Sequence, residues 1–348
     1  MKTYGVGVIG CGYWGPNLVR NFSRNPRTQV LAVCDSRHER AAKVGAEFRI
    51  PTVTDSVSDL IGTPGVDLVV VATPSFTHYE LARAALEAGK HVLVMKPLTT
   101  TTEHAEELCR VAERQGRLLA VDHTFVFTGA VRHMRALIDS GEIGDLYYFD
   151  SVRINLGLIQ TDVNVVWDLA PHDVSIMDYL IAQEPVSVAA QAAGHGGSPT
   201  ENIAYLTVRY SGSLLGAVHV NWLAPAKVRR TIVGGSKRMM IYDDMEPSEK
   251  LKVYDKGVSI SSDPSDEYQF MISYRSGDMH APRLDTREAL AVEADNIVAA
   301  MDGREQLVSD GRAGARVVRI LEAAQRSIEQ GGALIALNGA VPAAAAAG

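Results

Sequence analysis

Basic charge, cysteine and long apolar stretches are what this sequence has little of. Its 34 Lys and Arg face 41 Asp and Glu, a formal net charge of −7, which runs against the basic surface that nucleic-acid binding requires. No apolar run approaches the roughly 18–20 residues that span a bilayer, so no membrane partner is expected. The opening MKTYGVGVIG carries one lysine and then a strand pattern, without the apolar core and cleavage site of a secretory leader. The three cysteines, Cys11, Cys34 and Cys109, cannot all pair, and none has metal-ligand spacing. No metal site is expected, and a reducing cytoplasm is the expected compartment. No internal repeat is evident.

What remains is an ordinary globular composition, 46% hydrophobic and 22% charged, in a chain of 348 residues. That length exceeds one compact core and suits two domains. Up to Val121 strands and helices alternate. Tyr4–Ile9, Val30–Cys34, Val66–Ala72, His91–Met95 and Leu118–Val121 are short apolar runs, and Tyr79–Ala88 and Glu103–Arg114 have helical period. Apolar strands separated by helices imply a parallel sheet covered on both faces, the doubly wound α/β pattern.

Beyond residue 125 the strands follow one another: Leu146–Ile154, Val186–Ala193, Ile203–Tyr210, Leu214–Leu223, Val228–Val233, Arg238–Tyr242 and Leu251–Tyr254. The alternation in Ala204–Tyr210 indicates an antiparallel sheet with one wet face. Helices are expected over Thr128–Ser140, Leu169–Ile181, Thr286–Met301 and Ala313–Gln330. Ser259–Arg283 is polar and patternless and reads as a long loop. The expected organisation is a doubly wound domain over residues 1–124, an α+β domain with a large, mainly antiparallel open sheet over residues 125–340, and a flexible tail over 341–348.

Gly10-Cys11-Gly12-Tyr13-Trp14-Gly15 follows a strand and opens a helix, and Asp35 stands 20 residues beyond Gly15 at the end of the next strand. This is the full dinucleotide fingerprint of a Rossmann domain. Gly10 permits the tight turn, Gly12 lets the backbone approach a pyrophosphate, and Gly15 lets helix pack on strand. Asp35 can accept bonds from ribose hydroxyls and repels a 2′-phosphate, which favours NAD over NADP; Arg37 weakens that preference because an arginine there can pair with a 2′-phosphate.

Two further segments carry candidate chemistry. Met95-Lys96-Pro97 ends the fifth strand, and ligands of open α/β sheets bind outside the carboxyl ends of the strands. A lysine after a strand is also an ordinary solvated residue. Lys-Pro restricts Lys96 to extended geometry and admits a cis bond. In Trp167-Asp168-Leu-Ala-Pro-His172-Asp173 the proline suits a first helical turn, so a helix is expected to begin near Asp168. Asp168 and His172 are then i,i+4 neighbours, off the apolar stripe of Ile176, Met177, Leu180 and Ile181. The spacing fits an acid/base pair and equally an N-cap aspartate with a surface histidine.

Taken together, GCGYWG, Asp35, the Ala72-Thr-Pro-Ser-Phe-Thr-His78 turn, Gly89–Pro97 and Asp168-x-x-x-His172 resemble the Gfo/Idh/MocA family of sugar and inositol dehydrogenases, over essentially the whole chain. The resemblance implies that Lys96 lies between nicotinamide and substrate and forms a proton-transfer pair with His172. It makes His172 the principal base and Asp168 its orienting partner or a substrate ligand. It places Thr73, Pro74 and His78 in the cofactor pocket beside Cys11, Tyr13, Trp14 and the fingerprint glycines. Two positions depart from the family pattern. Met95 replaces the usual glutamate before the lysine, and Asp122 stands where relatives often have glycine, leaving His123 as a substrate-side candidate.

The expected activity is NAD-dependent oxidation of a secondary ring hydroxyl to a ketone, on a nucleotide sugar or a cyclitol such as an aminocyclitol in antibiotic sugar formation. Inositol dehydrogenase is the close alternative. An NAD-dependent glycoside hydrolase and a non-catalytic nucleotide-sensing regulator are alternatives of other classes. Arg153, Asn155, Asn164 and Arg229 are candidates to meet substrate hydroxyls or phosphate, with a solvated strand face the competing reading. The resemblance further implies a homodimer or homotetramer.

Overall fold

The computed structural model describes residues 2–157, 163–255, 257–261, 271–275 and 277–337. In chain order the elements are β1 (Tyr4–Ile9), α1 (Gly15–Arg24), β2 (Thr28–Cys34), α2 (His38–Phe48), β3 (Thr52–Thr54), α3 (Val57–Gly62), β4 (Val66–Val71), α4 (His78–Glu87), β5 (His91–Met95), α5 (Thr102–Gln115) and β6 (Leu119–Asp122). Then come α6 (Gly129–Asp139), β7 (Leu146–Leu156), α7 (Val165–Ile181), β8 (Ser187–Ala193), β9 (Ile203–Arg209), β10 (Leu215–Asn221), β11 (Leu223–Gly235), β12 (Met239–Asp243) and β13 (Leu251–Tyr254). The chain continues with β14 (Gly257–Ser261), β15 (Met271–Arg275), β16 (Met279–His280), α8 (Ala289–Met301), α9 (Gly311–Glu329) and β17 (Ile335–Ala336).

The first sheet runs β3-β2-β1-β4-β5-β6 with every pairing parallel. Its interior strands read as continuous apolar runs because both faces are covered: all six residues of β1 are buried. The strand order reverses between β1 and β4, which opens a crevice at their carboxyl ends. The second sheet has nine strands in the order β16-β13-β12-β11-β7-β10-β9-β8-β17. It is mainly antiparallel, with β7 and β10 paired in parallel, so the sheet is mixed.

Two compact units result, Met1–Thr128 with Arg287–Glu322 and Gly129–Thr286 with Ala323–Gly348. The first therefore takes α8 from the segment read as part of the second domain. Leu290, Ala294 and Ile297 of α8 share one core with Val6, Val8, Leu18, Phe22, Leu68 and Leu93. Periodicity reveals that a helix has an apolar face but not which sheet that face covers. Arg20 of α1 and Glu288, just ahead of α8, reinforce the packing with an ion pair at 2.6 Å.

Three local expectations change. The stretch read as a loop over 259–283 contains the end of β14 and all of β15, paired antiparallel as a separate two-stranded sheet, and β16; residues 262–270 and 276 lie outside the described residues. Leu214–Leu223 is divided at Trp222, where β10 ends and β11 begins. Helix α7 starts at Val165 and not near Asp168, because Asn164 caps it: its side-chain oxygen accepts from the amides of Val166 and Trp167 at 3.1 and 3.2 Å. The expected tail, 341–348, lies outside the described residues. Among the described residues no helix is long and apolar enough to cross a membrane, and no cluster of His, Cys, Asp and Glu could hold a metal ion.

Candidate active site

The dinucleotide cradle is built where β1, β2 and β4 end. The Gly10 amide donates to Cys34 at 2.8 Å and the Ala72 amide to Ile9 at 2.7 Å, which ties the three strand ends together. Gly10 sits at φ +100°, and a Cβ there would lie 2.4 Å from the Ala72 carbonyl oxygen. A Cβ on Gly15 would lie 2.0 Å from the Gly10 carbonyl oxygen, so both positions need glycine for space. Gly12 differs. The nearest atom to a Cβ there is the Arg40 guanidinium at 3.9 Å, so its bare face opens onto the cradle. Helix α1 follows with no acidic residue in its first turn and no side-chain cap, leaving its positive end to an anion.

A cavity of about 620 Å³ adjoins this loop, and Gly10, Gly12, Tyr13, Asp35, Arg37 and Arg40 are among its lining residues. Asp35 is buried; one carboxylate oxygen accepts the Cys11 amide at 2.8 Å and the other the Arg37 amide at 2.9 Å. Each oxygen retains a lone pair, so Asp35 is preorganised to receive ribose hydroxyls. Thr73 and Pro74 line the same cavity. The residues present fit the adenosine and pyrophosphate portion of NAD: bare cradle, anion-seeking helix end and fixed acceptor.

Not every fingerprint residue faces this cavity. Tyr13 is 93% exposed and lines it, whereas Trp14 packs on the core and donates its indole N–H to Asp122 at 3.2 Å. Cys11 is buried, and burial pushes its thiol up to about 12, so it fills space and is no nucleophile. His78, expected in the pocket, is instead buried beneath it, its ring nitrogens 2.8 Å from the carbonyls of Thr73 and Pro97. It pins the Thr73-Pro74 turn to the segment that follows Lys96, and burial lowers its pKa. Arg40, which no sequence motif singled out, also lines the cavity, as does Phe76 of the Ala72–His78 turn.

Lys96 stands half-buried directly after β5, and its bond to Pro97 is cis. Met95, in the place of the usual glutamate, pairs in register with Asp122 of β6 and packs against the apolar core. His123 is 1% exposed, and neither ring nitrogen has a hydrogen-bond partner among the described residues. Burial, and then the neighbouring Lys96 charge, push its pKa down to about 3, so it is a neutral imidazole throughout the physiological range.

In the second unit, Asp168 lies in the first turn of α7 and accepts the indole N–H of the buried Trp222 at 3.1 Å. His172 follows one turn later, half-buried, directly after Pro171. Trp222 escapes sequence reading because it reaches Asp168 across 54 positions.

The strand-face candidates divide. Arg153 is buried in an ion pair with Asp173 at 2.6 Å, which also accepts from Ser151 at 2.5 Å. The guanidinium therefore braces β7 against the helix that carries His172. Asn164 is the helix cap, and its amide nitrogen donates to Glu201 and Gln325 at 3.0 and 2.8 Å. Arg229 pairs with Asp244 at 3.2 Å. Asn155, half-buried on β7, carries none of these bonds.

Comparison with known proteins agrees with this architecture. Residues 4–123 match the NAD-binding Rossmann domain of the Gfo/Idh/MocA oxidoreductases, and residues 131–241 match that family's C-terminal domain. The uncharacterized oxidoreductase YdgJ of Escherichia coli K12 is 33% identical over 257 residues, 70% of this chain and 72% of that protein. Inositol 2-dehydrogenase 2 of Saccharopolyspora erythraea is 35% identical over 199 residues, 56% of this chain and 59% of that one. The structure of UDP-N-acetylglucosamine 3-dehydrogenase GnnA from Acidithiobacillus ferrooxidans superposes with a TM-score of 0.81 at 26% identity, covering 95% of this chain and 99% of that one. With both family domains matched in order on the fold and cradle described, the chain belongs to the Gfo/Idh/MocA family of NAD-dependent oxidoreductases.

Proposed function

We propose that this enzyme oxidises a secondary ring hydroxyl of a sugar-like substrate to a ketone, with Lys96, Asp168 and His172 handling the proton. The observation that carries the reading is Lys96 at the carboxyl end of β5, in the same sheet whose β1 and β2 ends carry the cradle and Asp35. Gly10, Gly12, Gly15 and Asp35 would hold NAD, which supplies hydride acceptance at its nicotinamide ring. His172 takes the hydroxyl proton as general base. Asp168, fixed by Trp222, orients His172, and Lys96 is the second proton carrier. The neutral His123 beside Lys96 offers substrate a hydrogen bond without adding charge. Asn155 is the strand residue most open to a substrate hydroxyl.

A nucleotide sugar is the favoured substrate class, because a solved structure covering 95% of the chain at a TM-score of 0.81 is named as a UDP-N-acetylglucosamine 3-dehydrogenase. The second reading is a cyclitol, favoured by the inositol 2-dehydrogenase relative. YdgJ, the inositol 2-dehydrogenase and GnnA all carry oxidoreductase or dehydrogenase names, which lends nothing to a hydrolase or a regulator. A homo-oligomer in the cytoplasm completes the reading, with sedimentation as its check.

The test is NADH formation across UDP- and dTDP-sugars, free hexoses, sugar phosphates, myo- and scyllo-inositol and inosamines. Turnover of one class identifies the substrate, and turnover of none refutes the proposal. With the substrate in hand, Lys96→Ala and His172→Ala should each reduce kcat by about 10²-fold or more while binding NAD normally. Near-wild-type turnover in either variant removes that residue from the mechanism.

A further inference from the structure

Two carboxyl groups that the chemistry above does not use meet in the interior of the first unit. Asp122 at the end of β6 and Glu293 on α8 are 1% and 2% exposed and share a hydrogen bond. Carboxylates in such contact repel when both are ionised, so a shared hydrogen bond requires a proton on one of them. Asp122 has further donors in the hydroxyl of Thr124 at 2.6 Å, the indole N–H of Trp14 at 3.2 Å and the backbone amide of Thr124. Glu293 has its Oε1 without a partner among the described residues. Asp122 is therefore the carboxylate better supplied with hydrogen-bond donors and Glu293 the proton holder.

Trp14 connects this pair to the cofactor site. It is the residue before α1 and the fifth of the six fingerprint positions. Its ring points away from the cavity that Gly12 and Tyr13 line. We propose that Trp14, Asp122 and Glu293 form a proton-dependent latch that positions the dinucleotide loop, making Asp122 and Glu293 positioning residues for NAD. Adding a second negative charge separates the two carboxylates and disturbs the acceptor that holds Trp14. It also places more negative charge behind a loop that must receive a pyrophosphate. Both effects weaken NAD binding in the same direction, as pH rises.

Burial, followed by the Asp122 charge, holds Glu293 well above the ordinary carboxylate range, and burial also raises Asp122. The other charged or titratable groups on the surrounding elements are His123 after Asp122, Lys96 after β5, Cys11 and Tyr13 of the loop, the Arg20–Glu288 pair of α1 and the α8 entry, and the exposed Arg24 of α1 and Asp295 of α8. His123 stays neutral across the range concerned, and Arg20 is already paired.

The experiment is calorimetric titration of the full-length protein with NAD from about pH 6 to about pH 9.5, with circular dichroism at each pH to confirm folding. The proposal rests on the NAD site alone, so substrate identity does not affect the outcome. The wild-type Kd should rise about fivefold or more over this range. Glu293→Gln keeps a neutral hydrogen-bond donor and should give a pH-independent Kd, and Asp122→Asn should flatten the profile likewise. Trp14→Phe should weaken binding by a similar factor at every pH. An infrared band of a protonated carboxyl should be present in the wild type and absent from Glu293→Gln. Retention of the wild-type pH profile by Glu293→Gln or Asp122→Asn overturns the proposal, as does wild-type affinity in Trp14→Phe. If one carboxyl variant does not fold, the other and the infrared band decide.

Discussion

Breaking the buried pair between Arg153 and Asp173 is the perturbation whose cost follows most directly from the geometry. Their side chains are 4% and 3% exposed and meet at 2.6 Å, with Ser151 completing the shell. Arg153→Met preserves most of the apolar stem and leaves the Asp173 carboxylate buried with the Ser151 hydroxyl. Losing one partner of such a pair costs about 3–5 kcal/mol, chiefly because the other charge is stranded away from water. For a unit of this size, about 1 kcal/mol moves a melting midpoint by roughly 2–4 °C, so the second unit should melt roughly 6–20 °C lower. Scanning calorimetry of the full chain reads this, since the two units can melt separately. The double variant Arg153→Met with Asp173→Leu removes both charges and should recover most of the loss, to within about 2 kcal/mol of wild type. A single-variant cost below about 1 kcal/mol, or a double variant no better than the single, refutes the claim that stranded charge dominates.

Three further outcomes follow from the first unit. Gly12→Ala has room on its protein side and should melt within about 1 kcal/mol of wild type while losing NAD affinity. Gly10→Ala, at φ +100° and 2.4 Å from a carbonyl oxygen, should be destabilised by about 2 kcal/mol or more; equal melting of the two variants contradicts the steric reading. Asp35→Ser should raise the NAD Kd about tenfold and improve NADP relative to NAD, because Arg37 and Arg40 then flank a site without its carboxylate. An unchanged ratio of the two affinities excludes Asp35 as the discriminator. Burial, and then the Arg117 charge, push His91 down to about 4, and its Nδ1 accepts the Leu118 amide at 3.0 Å. Between about pH 4 and pH 6.5 the unfolded chain therefore binds the extra proton. His91 thus contributes stability that is complete above about pH 6.5 and is lost as pH falls toward 4. Denaturant titrations should show that slope reduced by about one proton in His91→Gln, and an unreduced slope counts against the assignment.

How much of this was legible depends on whether the determining contacts are local. The glycine fingerprint with Asp35 was readable because turn sterics and strand ends act within a few residues, and Gly10 and Gly15 fill the roles that their spacing implied. The order of apolar runs likewise determined the parallel sheet. The i,i+4 relation of Asp168 and His172 held because helical period is a backbone property, although the helix start moved to Val165, behind the Asn164 cap. Roles set by distant partners were not readable. Arg153 looks the same in sequence whether it meets solvent, a ligand or Asp173. His78 in the turn motif gave no sign that two carbonyls would enclose it.

By itself the sequence determined the fold class and the cofactor cradle, since each is written in spacing that short-range geometry enforces. Tertiary structure alone decided that α8 closes the first core, that Trp222 holds Asp168, and that Asp122 and Glu293 meet beneath Trp14. Trp222 and Asp168 lie 54 positions apart and Asp122 and Glu293 171, and the energetics of these contacts depend on the exclusion of water, which exists only after the core has formed.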